Sequence, residues 1–561
     1  MNKGSRHWEV LKKTPKNHEF EASEVIKILL KNRGIETPKE RQEFLYPTHP
    51  DDIDSSKIGI RESTINTAVG RIKEAIKRNE TIVVYGDYDV DGICGTGILF
   101  ETLYLLTKEV HPHLPGRFDE GYGLNPESVV SLKEKYPDLG VIITVDNGIK
   151  AYKGIKKAKE LGIDVIVTDH HDEGKENPNS FTSVYTKEIG GAEIAWIFAR
   201  EIRKKFFGKS LKLKFGDGLD LAALGTIADM MPLLGANRSF AWHGLRTLRR
   251  TRRPGLLALY GQAGIDQEEI GVYEVGYLIS PRLNAAGRLE TALEALRLIC
   301  TGNNERAREL AYSLGRMNSR RQGIQEEMVI HAKNLLGQET KENVIVLAEE
   351  SYHEGVVGLV AAKLVEEYGK PAIVLTKGSI HSKGSARSIP GYDLKEALSK
   401  VESLLISWGG HSAAAGLTLE TEKIAVFRRE LNLVSAPLLT KVEAGGRLKI
   451  DMELPFSIID DKLWSALQEF EPTGMGNPSP VFSSKNVRIL SGRTVGHDEK
   501  HIKLKLQQGG INFGAIGFGL SKFLPKILPD QKIDIAFNIT KSKWNGNETL
   551  ELKLKDIKIP S

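Results

Sequence analysis

Apolar runs that stop abruptly at charged residues recur in the first third of the chain. Residues 82–85 form such a run, which ends in the glycine-bracketed acidic loop 86–92 and leads into the helix-like residues 93–106. Residues 139–149 repeat this arrangement, and residues 163–171 repeat it again. Strand, helix and strand at this spacing are typical of successive βαβ units in a parallel sheet. The pattern therefore predicts an α/β domain with polar loops at the carboxyl edge of its sheet.

The residues that end these runs are acidic or carry an imidazole. Because the carboxyl ends of parallel strands meet at one edge of a sheet, these side chains are expected to converge. A further acidic residue, Asp229, interrupts the apolar, helix-like run 220–233 and would be costly to bury without a charged partner. The converging set comprises Asp87, Asp89, Asp91, Asp146, Asp169, His170 and His171.

This set offers oxygen and imidazole nitrogen as metal ligands. The two cysteines, Cys94 and Cys300, lie far apart in sequence, which argues against a disulfide framework or a thiolate zinc cluster. Carboxylates with one or two imidazoles suit Mn²⁺ or Mg²⁺, and the nitrogen ligands favour Mn²⁺. Two such ions about 3.5 to 4 Å apart, bridged by a carboxylate such as Asp146, can activate water for attack on a phosphoryl group.

Each of these residues taken alone has a simpler interpretation. An isolated DxDxD loop is about as often a solvated acidic turn as a cation site, and a single Asp or His more often caps an element or satisfies the core. Four acidic sites in a similar context, as seen here, favour a metal centre instead.

Periodicity outlines the rest of the chain. Residues 304–336 have the length and the 3.6-residue apolar spacing of one long helix, whose simplest interpretation is a surface helix laced with ion pairs. Residues 344–376 restore a strand, helix, strand pattern, and short alternating strands beyond residue 482 predict a small β barrel. Helical patterns also cover residues 23–35 and 62–78.

Composition and charge narrow the class of protein. Of the 561 residues, 40% are hydrophobic and 27% charged, which is ordinary for a soluble protein of several domains. No apolar run approaches the roughly 18 to 20 residues of a membrane span, and the N-terminus lacks a secretory signal, so a cytoplasmic protein is expected. Residues 481–561 carry fourteen Lys and Arg against seven Asp and Glu, whereas the whole chain has net charge +5. A basic module beside an acidic one suggests a polyanionic partner.

Several motifs resemble those of a known superfamily. YGDYDVDG, TVDNGI, TDHH and GTIADMMPL look like the four motifs of the DHH phosphoesterases, which include pyrophosphatases and several phosphodiesterases. The segments PRLNAAGRL, GSARS, WGGHSAAAG and FEPTGMGNPSPVF extend the resemblance over nearly the full length to the RecJ family of bacterial exonucleases. The first four motifs imply phosphoester hydrolysis. The later segments distinguish the RecJ family from the pyrophosphatases and the other phosphodiesterases.

This resemblance implies an α/β fold class with two α/β lobes. A parallel-sheet DHH domain and a DHH-associated domain would be joined by a long helix and followed by an OB-like β barrel. The expected domains are an N-terminal helical segment at 1–57, the DHH domain at 58–290, the connecting helix at 291–340, the DHH-associated domain at 341–440 and the barrel at 441–561.

The resemblance also implies a function, a 5′ to 3′ exonuclease specific for single-stranded DNA that acts in repair and recombination. It would use two Mn²⁺ ions, with Mg²⁺ as the alternative. Asp89 and Asp146 would hold one ion, assisted by Asp87, and the second ion would be held by Asp91, Asp146, His170 and Asp229. The catalytic residues that contact the scissile phosphate would be His171, Arg288 and His411.

The remaining implied contacts concern the 5′ end and the DNA strand. Ser385 and Arg387 are two apart, so an extended segment puts both on one face, where they would hold the 5′-phosphate, and Arg282 would bind DNA. Phe513, Phe518 and Trp544 are candidates for base stacking, although barrel aromatics are more often core residues. Residues 109–125 form a long loop of the kind that is often functional, and the Arg-rich residues 246–254 are either part of the DNA path or a solvated helix end.

The family resemblance gives partners as well as single-stranded DNA. They are a single-strand-binding protein and a RecQ-type helicase, with the enzyme itself a monomer. Two other functions stay open at this point. One is a phosphodiesterase for short oligonucleotides or cyclic dinucleotides, which the long C-terminal half disfavours. The other is a non-catalytic single-strand-binding scaffold, which the complete set of expected ligand residues disfavours.

Overall fold

The chain forms two compact units. A computed structural model describes residues 6–13, 21–121, 123–174, 176, 178–208, 215–338, 340–440, 447–497, 499–544 and 547–559. One unit combines Met1–Tyr46 with Thr440–Ser561, and the other is Pro47–Leu439. The N-terminal residues therefore group with the C-terminal part of the chain.

The first unit begins with one strand and two helices, β1 His7–Val10, α1 Ala22–Asn32 and α2 Pro38–Leu45. The helix α2 starts at a capping box, in which Thr37 accepts from the backbone of Glu40 and Glu40 accepts from the backbone of Thr37. Helix α1 is tied to the C-terminal part of its unit, because the Arg33 side chain donates to Asp451 at 3.2 Å.

The second unit is built on a five-stranded sheet in the order β3-β2-β4-β5-β6, with every neighbouring pair parallel. Every residue of β2 and β4 is buried, as expected for strands covered on both faces. The three predicted strands are confirmed as neighbours, so their carboxyl ends share one edge. The bounds are β2 Thr81–Gly86, β3 Val110–His113, β4 Leu139–Val145, β5 Asp164–Asp169 and β6 Thr182–Tyr185.

Helices surround this sheet and bury one large apolar cluster with it. They are α3 Glu62–Lys77, α4 Val90–Tyr104, α5 Pro126–Lys135, α6 Tyr152–Glu160, α7 Gly191–Phe207, α8 Leu219–Ala228, α9 Gly235–Leu248, α10 Pro254–Ala263, α11 Ser280–Leu289, α12 Leu293–Cys300 and α13 Asn304–Leu336. A π-helical segment, Glu274–Ile279, leads directly into α11. The long helix expected over residues 304–336 is confirmed at both ends.

Three details differ from the sequence predictions. Helix α4 starts at Val90 rather than at residue 93, because the Asp89 side chain caps it by accepting from the N–H groups of Asp91 and Gly92. The predicted loop 109–125 begins with an edge strand, β3, so that interpretation was wrong for its first residues. Asp229 does not interrupt a helix, since it is the residue that ends α8.

The second lobe of this unit has a mixed five-stranded sheet in the order β10-β11-β9-β8-β7. Strands β7 and β8 are parallel and joined by α14, which confirms the predicted strand, helix, strand pattern. The Gly-rich segment at 408–416 spans an antiparallel hairpin. The elements are β7 Ile345–Glu349, α14 Val357–Tyr368, β8 Ala372–Thr376, β9 His381–Arg387, α15 Leu394–Ser399, β10 Ser407–Gly410, β11 Ala414–Glu420 and α16 Ile424–Leu439.

The C-terminal part of the first unit forms the predicted β barrel. Five strands run in the order β14-β15-β16-β18-β17, and pairing of β14 with β17 closes the ring. The elements are β12 Arg447–Ile450, β13 Met452–Glu453, α17 Asp461–Leu467, β14 Phe482–Val495, β15 His501–Gln508, β16 Ile511–Gly517, β17 Lys532–Trp544 and β18 Asn547–Lys558. Throughout the described ranges, every helix is too short or too polar to cross a bilayer.

The Arg-rich segment that follows α9 has a structural member. Arg253 is fully buried, and its guanidinium donates to Asp220 on α8 and, through two nitrogens, to Glu101 on α4. It also donates to the carbonyl of Ile299 at 3.2 Å. Neither interpretation of the segment 246–254 fits Arg253, because this side chain joins three helices inside the core. Arg246, Arg249, Arg250 and Arg252 are exposed.

We expect Arg253→Ala to destabilise the unit Pro47–Leu439 by about 3 to 5 kcal/mol, because it leaves the buried carboxylate of Asp220 without its cation. Chemical denaturation measures this loss. The adjacent Arg252→Ala is the matched control, and its exposed side chain should change stability by less than about 0.5 kcal/mol. Equal losses in the two variants would contradict the role of the buried cluster.

Candidate metal and phosphate site

The acidic loop between β2 and α4 is held in a fixed conformation by its own backbone. The Asp87 side chain accepts from the N–H of Tyr88 at 2.7 Å. The Asp89 side chain accepts from the N–H groups of Asp91 and Gly92 at 3.0 and 3.1 Å. Gly92 lies so close to Asp87 that an added Cβ would come within 2.6 Å of its backbone nitrogen. The loop therefore needs glycine here in order to turn its carboxylates to one side.

The neighbouring strand ends bring the other predicted ligands to the same edge. Asp146 follows β4 in a left-handed conformation, with φ of 60°. The Nε2 atom of His170 lies 3.1 Å from Asp146 Oδ1, 3.7 Å from Asp229 Oδ2 and 3.9 Å from Asp91 Oδ2. Residues from three strand ends and one helix end thus converge, as the parallel pattern predicted.

Potential ligand atoms in this cluster lie within 4.8 Å of one another in three groups. One group contains Asp87, Asp89 and Asp146, and a second contains Asp91, His170 and Asp229. The third contains Asp146, His170 and His171. Asp146 belongs to two of the groups, as expected for a carboxylate between two ions.

Asp91 is supported by the N-terminus of α7. Its two carboxylate oxygens accept from the N–H groups of Gly191 and Ala192 at 2.7 and 2.9 Å. The first turn of a helix has unpaired N–H groups and a partial positive charge, which stabilise an anion there. A Cβ on Gly191 would lie 2.6 Å from Asp146 Cβ, and one on Gly225 would collide with Asp91 Oδ1. These two glycines let α7 and α8 approach the carboxylates closely.

A buried carboxylic residue, Glu193, links these two helices. It accepts from the N–H of Gly190 at 2.6 Å and from the hydroxyl of Thr226 at 2.8 Å. Thr226 lies one turn before Asp229 on α8, whereas Gly190 precedes the residues that hold Asp91. Glu193 thus ties the support of Asp91 to the helix that carries Asp229. Burial raises its pKa to about 8, with Asp91 and Asp229 adding to the effect.

Asp169 orients the tandem histidines. It accepts from the backbone N–H groups of His170 and His171 at 2.8 and 3.1 Å, and it contacts His171 Nδ1 at 2.8 Å. Burial lowers the pKa of His171, but the hydrogen bond and charge of Asp169 outweigh it and raise that pKa to about 9. For His170, burial and the neighbouring His171 lower the pKa to about 4. The two adjacent rings therefore differ in charge state.

The electrostatics of the cluster call for a cation. Burial, followed by the charge of Asp89, raises the pKa of Asp91 to about 7, and burial with Asp91 raises that of Asp229 to about 8. Burial also raises the pKa values of Asp87 and Asp146 well above the usual range. His170 Nε2 is buried and has no hydrogen-bond partner among the described residues. These oxygens and this nitrogen fit Mn²⁺ or Mg²⁺, which would offset the repulsion.

Facing the carboxylates is a cluster of arginines. Burial and the like charges of Arg117, Arg321 and Arg387 lower the pKa of Arg288 to about 10. Arg288 donates to the carbonyl of Gly355 in the second lobe at 3.2 Å. A Cβ on Gly355 would collide with the carbonyl oxygen of Arg288, so the two lobes meet here through their main chains. Like charges held this close indicate a site for an anion.

Two of these arginines donate only to neutral groups in their described hydrogen bonds. Arg117 stacks on the ring of Tyr88, 4.1 Å from its centroid, and donates to the carbonyl of Gly287 at 3.2 Å. Arg321 lies largely buried on α13, and its described hydrogen bonds go to the amides of Asn318 and Gln325. Sequence reasoning missed both residues. The interpretation of α13 as an ordinary ion-paired surface helix does not account for Arg321.

Ser385 and Arg387 lie side by side on β9, as their spacing predicted. The Arg387 guanidinium donates to Ser385 Oγ at 2.8 Å. The first turn of α14 lies against the same pair, because a Cβ on Gly358 would lie 3.0 Å from Ser385 Oγ and 3.1 Å from Arg387 Nη2. A helix N-terminus, a serine hydroxyl and an arginine are groups that phosphate sites commonly use.

The last two predicted site residues lie further out. His411 is 62% exposed at the tip of the β10–β11 hairpin, and its Nδ1 lies 3.6 Å from Asp172 Oδ2, just beyond the tandem histidines. It thus reaches the first lobe from the second. Arg282 bonds Gln262 at 2.7 Å and the carbonyl of Leu278 at 2.7 Å. None of these described contacts of Arg282 is with a residue of the metal or arginine clusters.

The barrel carries one of the three aromatic candidates on its surface. Phe518 is 52% exposed, and Lys553 lies 5.4 Å from its ring centroid. Phe513 packs edge-to-face against the buried ring of Phe456 at 5.1 Å, so it belongs partly to the core. The side chain of Trp544 lies outside the described part of the chain.

Three family descriptions match the chain. The DHH family, N-terminal domain, covers residues 81–226, the DHHA1 domain covers 341–435, and the RecJ OB domain covers 450–556. The parallel sheet with its carboxylate and imidazole edge is therefore that of a DHH-type phosphoesterase.

The overall likeness extends to whole proteins. The single-stranded-DNA-specific exonuclease RecJ of Bacillus subtilis (strain 168) is 36% identical over 543 residues, which cover 94% of this chain and 67% of that protein. RecJ of Haemophilus influenzae is 33% identical over 516 residues, or 87% of this chain and 89% of that protein. The chain belongs to the RecJ family of single-stranded-DNA-specific exonucleases.

Solved structures agree with this assignment. The crystal structure of RecJ from Thermus thermophilus in complex with Mn²⁺ matches with a TM-score of 0.82 at 29% identity, over 99% of this chain and 80% of that chain. The complex of the same protein with Mg²⁺ matches with a TM-score of 0.75 at 27% identity, over 99% and 79%. Both metals expected from the donor atoms are thus found in a relative.

We expect Glu193→Gln to weaken Mn²⁺ binding by about 10- to 100-fold, the usual effect of removing a group that supports metal ligands. The amide keeps the shape of the side chain, but its NH₂ group cannot accept a hydrogen bond, so only one of the two bonds from Gly190 and Thr226 is kept. Electron paramagnetic resonance of free Mn²⁺ measures the affinity without reference to activity. Glu201→Gln, further along the same helix and away from the metal ligands, is the control and should leave the affinity unchanged. Unchanged binding in Glu193→Gln would contradict the supporting role.

Proposed function

We propose that the protein is a metal-dependent exonuclease that degrades single-stranded DNA from its 5′ end. One observation carries this proposal. Within one compact unit, a cluster of carboxylates and imidazoles faces a cluster of arginines whose described hydrogen bonds go to neutral groups. A metal wall opposite an anion-binding wall suits a phosphodiester chain whose terminal phosphate is held while the next bond is hydrolysed.

The metal ligands divide between two positions. Asp87, Asp89 and Asp146 would hold one ion, and Asp91, His170, Asp229 and the shared Asp146 would hold the other. The ions, in our proposal two Mn²⁺, would lower the pKa of a bound water and neutralise charge on the phosphoryl oxygens. The chain's part is to fix the ligands. The N–H groups of α7 hold Asp91, and Asp169 holds the backbone at His170.

The scissile phosphate would be contacted from both lobes. Asp169 fixes the ring of His171 through Nδ1, which leaves Nε2 as the atom to meet a phosphate oxygen. Arg288 is half-buried beside three other arginines and would neutralise the same phosphate. His411 would approach from the β10–β11 hairpin, which already reaches Asp172.

The direction of degradation would follow from the second phosphate position. Ser385, Arg387 and the first turn of α14 would bind the terminal 5′-phosphate, with Arg117 contributing from the first lobe. A site for a terminal phosphate favours a free end over an internal bond. Hydrolysis then proceeds one position inward from the 5′ end.

The preference for single strands draws support from the barrel. A closed five-stranded barrel of the RecJ OB description offers a basic surface with an exposed aromatic residue, Phe518, beside Lys553. Such surfaces track phosphates and stack bases. This module is what disfavours a dedicated cyclic-dinucleotide phosphodiesterase. The complete ligand groups disfavour a non-catalytic scaffold.

Several finer features rest on the family resemblance. They are the number of ions, the monomeric state, and contacts with a single-strand-binding protein and a RecQ-type helicase. The proposed preference for Mn²⁺ over Mg²⁺ rests on the imidazole nitrogens, and the proposed cytoplasmic location rests on the apolar pattern of the sequence. Arg282 is proposed to bind DNA on the outer part of α11, away from the metal ligands.

Asp146→Ala tests the proposed hydrolysis. We expect it to lower the rate on a 5′-phosphorylated single strand by more than about 100-fold, because it removes the carboxylate common to both metal positions. Gel analysis of the shortened products measures the rate, and fluorescence anisotropy should show that DNA binding remains. Asp138→Ala, at the opposite end of β4, is the control. Failure of the parent protein with Mn²⁺ or Mg²⁺ to shorten the strand would refute the function.

Arg387→Gln tests the 5′-phosphate site. The loss of a charged hydrogen bond should lower kcat/KM on 5′-phosphorylated DNA by about 10- to 100-fold, and affect 5′-hydroxyl DNA much less. The matched control is Lys383→Gln, which removes an exposed cation two residues before Ser385 on the same strand. An equal loss on both DNA ends would argue against a role in reading the terminal phosphate.

A further inference from the structure

The loop between β3 and α5 carries a feature that the phosphate chemistry leaves unexplained. It is anchored through Glu120, which accepts from the N–H of Gly116 at 3.1 Å and from the hydroxyl of Ser128 at 2.8 Å. This anchoring fixes Arg117 beside the acidic loop. The next residue, Phe118, is a large apolar side chain left 39% exposed.

The ring of Phe118 contacts a ring of the other lobe. His353, in the segment between β7 and α14, lies with its centroid 5.8 Å from that of Phe118 at an interplanar angle of 84°. The N–H of Gly355 donates to His353 Nδ1 at 3.1 Å, so the proton of the neutral ring lies on Nε2. An edge-to-face contact of this kind holds Phe118 by its side and leaves part of its surface uncovered.

Each ring of this pair is close in sequence to a residue that belongs to the arginine cluster or is bonded to it. Phe118 follows Arg117, which donates to the carbonyl of Gly287 beside Arg288. His353 is tied to Gly355, whose carbonyl accepts from Arg288. The aromatic pair and the phosphate-binding groups therefore belong to one continuous wall that both lobes build.

An exposed phenylalanine beside several arginines is an unfavourable surface unless something covers it. Full burial of such a side chain is worth about 1.5 to 3 kcal/mol. The substrate proposed above supplies a matching group, because each nucleotide carries a flat base next to its phosphate. Base stacking on an aromatic ring is independent of sequence, as a general exonuclease requires.

We propose that Phe118, braced by His353, stacks on the base of the 5′-terminal nucleotide while the arginine cluster holds the terminal phosphate. This inference rests on the proposed function and adds the base to the groups that the site recognises. Phe118 is thus a substrate-binding residue, and His353 is a positioning residue that acts through it. The long loop then has one purpose, to present Arg117 and Phe118 together.

A thermodynamic cycle tests the stacking. The substrates are two 5′-phosphorylated single strands that differ only in whether the terminal nucleotide carries its base or an abasic analogue. In the parent protein, removal of the base should lower kcat/KM by about 5- to 100-fold. In Phe118→Ala, the intact strand should suffer the same loss, and removal of the base should cause little more. Phe118→Trp should restore the dependence on the base.

Two controls separate stacking from a general defect. Phe181→Ala changes a phenylalanine of similar exposure, 45%, at the opposite edge of the sheet, and it should keep the full dependence on the terminal base. An abasic analogue placed ten nucleotides from the 5′ end should affect parent and Phe118→Ala alike. His353→Ala should reduce the dependence on the terminal base without abolishing hydrolysis.

A binding measurement gives a readout independent of turnover. With EDTA present to stop hydrolysis, 2-aminopurine at the 5′ terminus should lose fluorescence on binding the parent but not on binding Phe118→Ala. An equal effect of Phe118→Ala on both substrates, or unchanged quenching, would overturn the stacking proposal while leaving the exonuclease intact. A parent protein that degrades no single strand would overturn the proposed function, and this inference with it.

Discussion

Four carboxylates, Asp87, Asp91, Asp146 and Asp229, lie so close together at one sheet edge that burial and the repulsion of neighbouring carboxylates raise their pKa values. This repulsion is a cost that the fold offsets locally. The N-terminus of α7 donates two N–H groups to Asp91, and the strand ends fix the positions of the others. The remaining imbalance is what gives divalent cations their affinity for the site. The elements around the sheet edge thus stabilise the carboxylates only in part, and a bound metal ion would offset the remaining repulsion.

The sheet edge was predictable from sequence because its signal is local and repeated. Apart from Asp229, which ends α8, each proposed ligand follows a short apolar strand, and parallel strands can place their ends only on the same side. The pair Ser385 and Arg387 was predictable for a similar reason, since residues two apart on a strand share a face. The long helix α13 followed from its period alone. In each case the periodicity of the backbone carried the information.

Residues whose roles depend on distant partners were not predictable in this way. Arg253 sits in a run of arginines whose other members face solvent, and only the packing of α4 against α8 makes it a core residue. Arg321 comes from a helix whose pattern is that of an ordinary surface helix. Arg117 comes from a long loop whose length suggests a function but does not indicate which residue carries it. Glu193 resembles a common helix-start residue, and its link to Thr226 appears only when α7 meets α8.

The contact of Gly355 with the carbonyl of Arg288 has a further consequence for selectivity. At this point the lobes approach until their main chains touch, so their separation is set here by backbone atoms rather than by side chains that can change rotamer. Main-chain dimensions do not vary with rotamer state. The fixed separation of the lobes therefore limits the thickness of a substrate that lies between them. A methyl group at position 355 would collide with the carbonyl oxygen of Arg288 and change that separation.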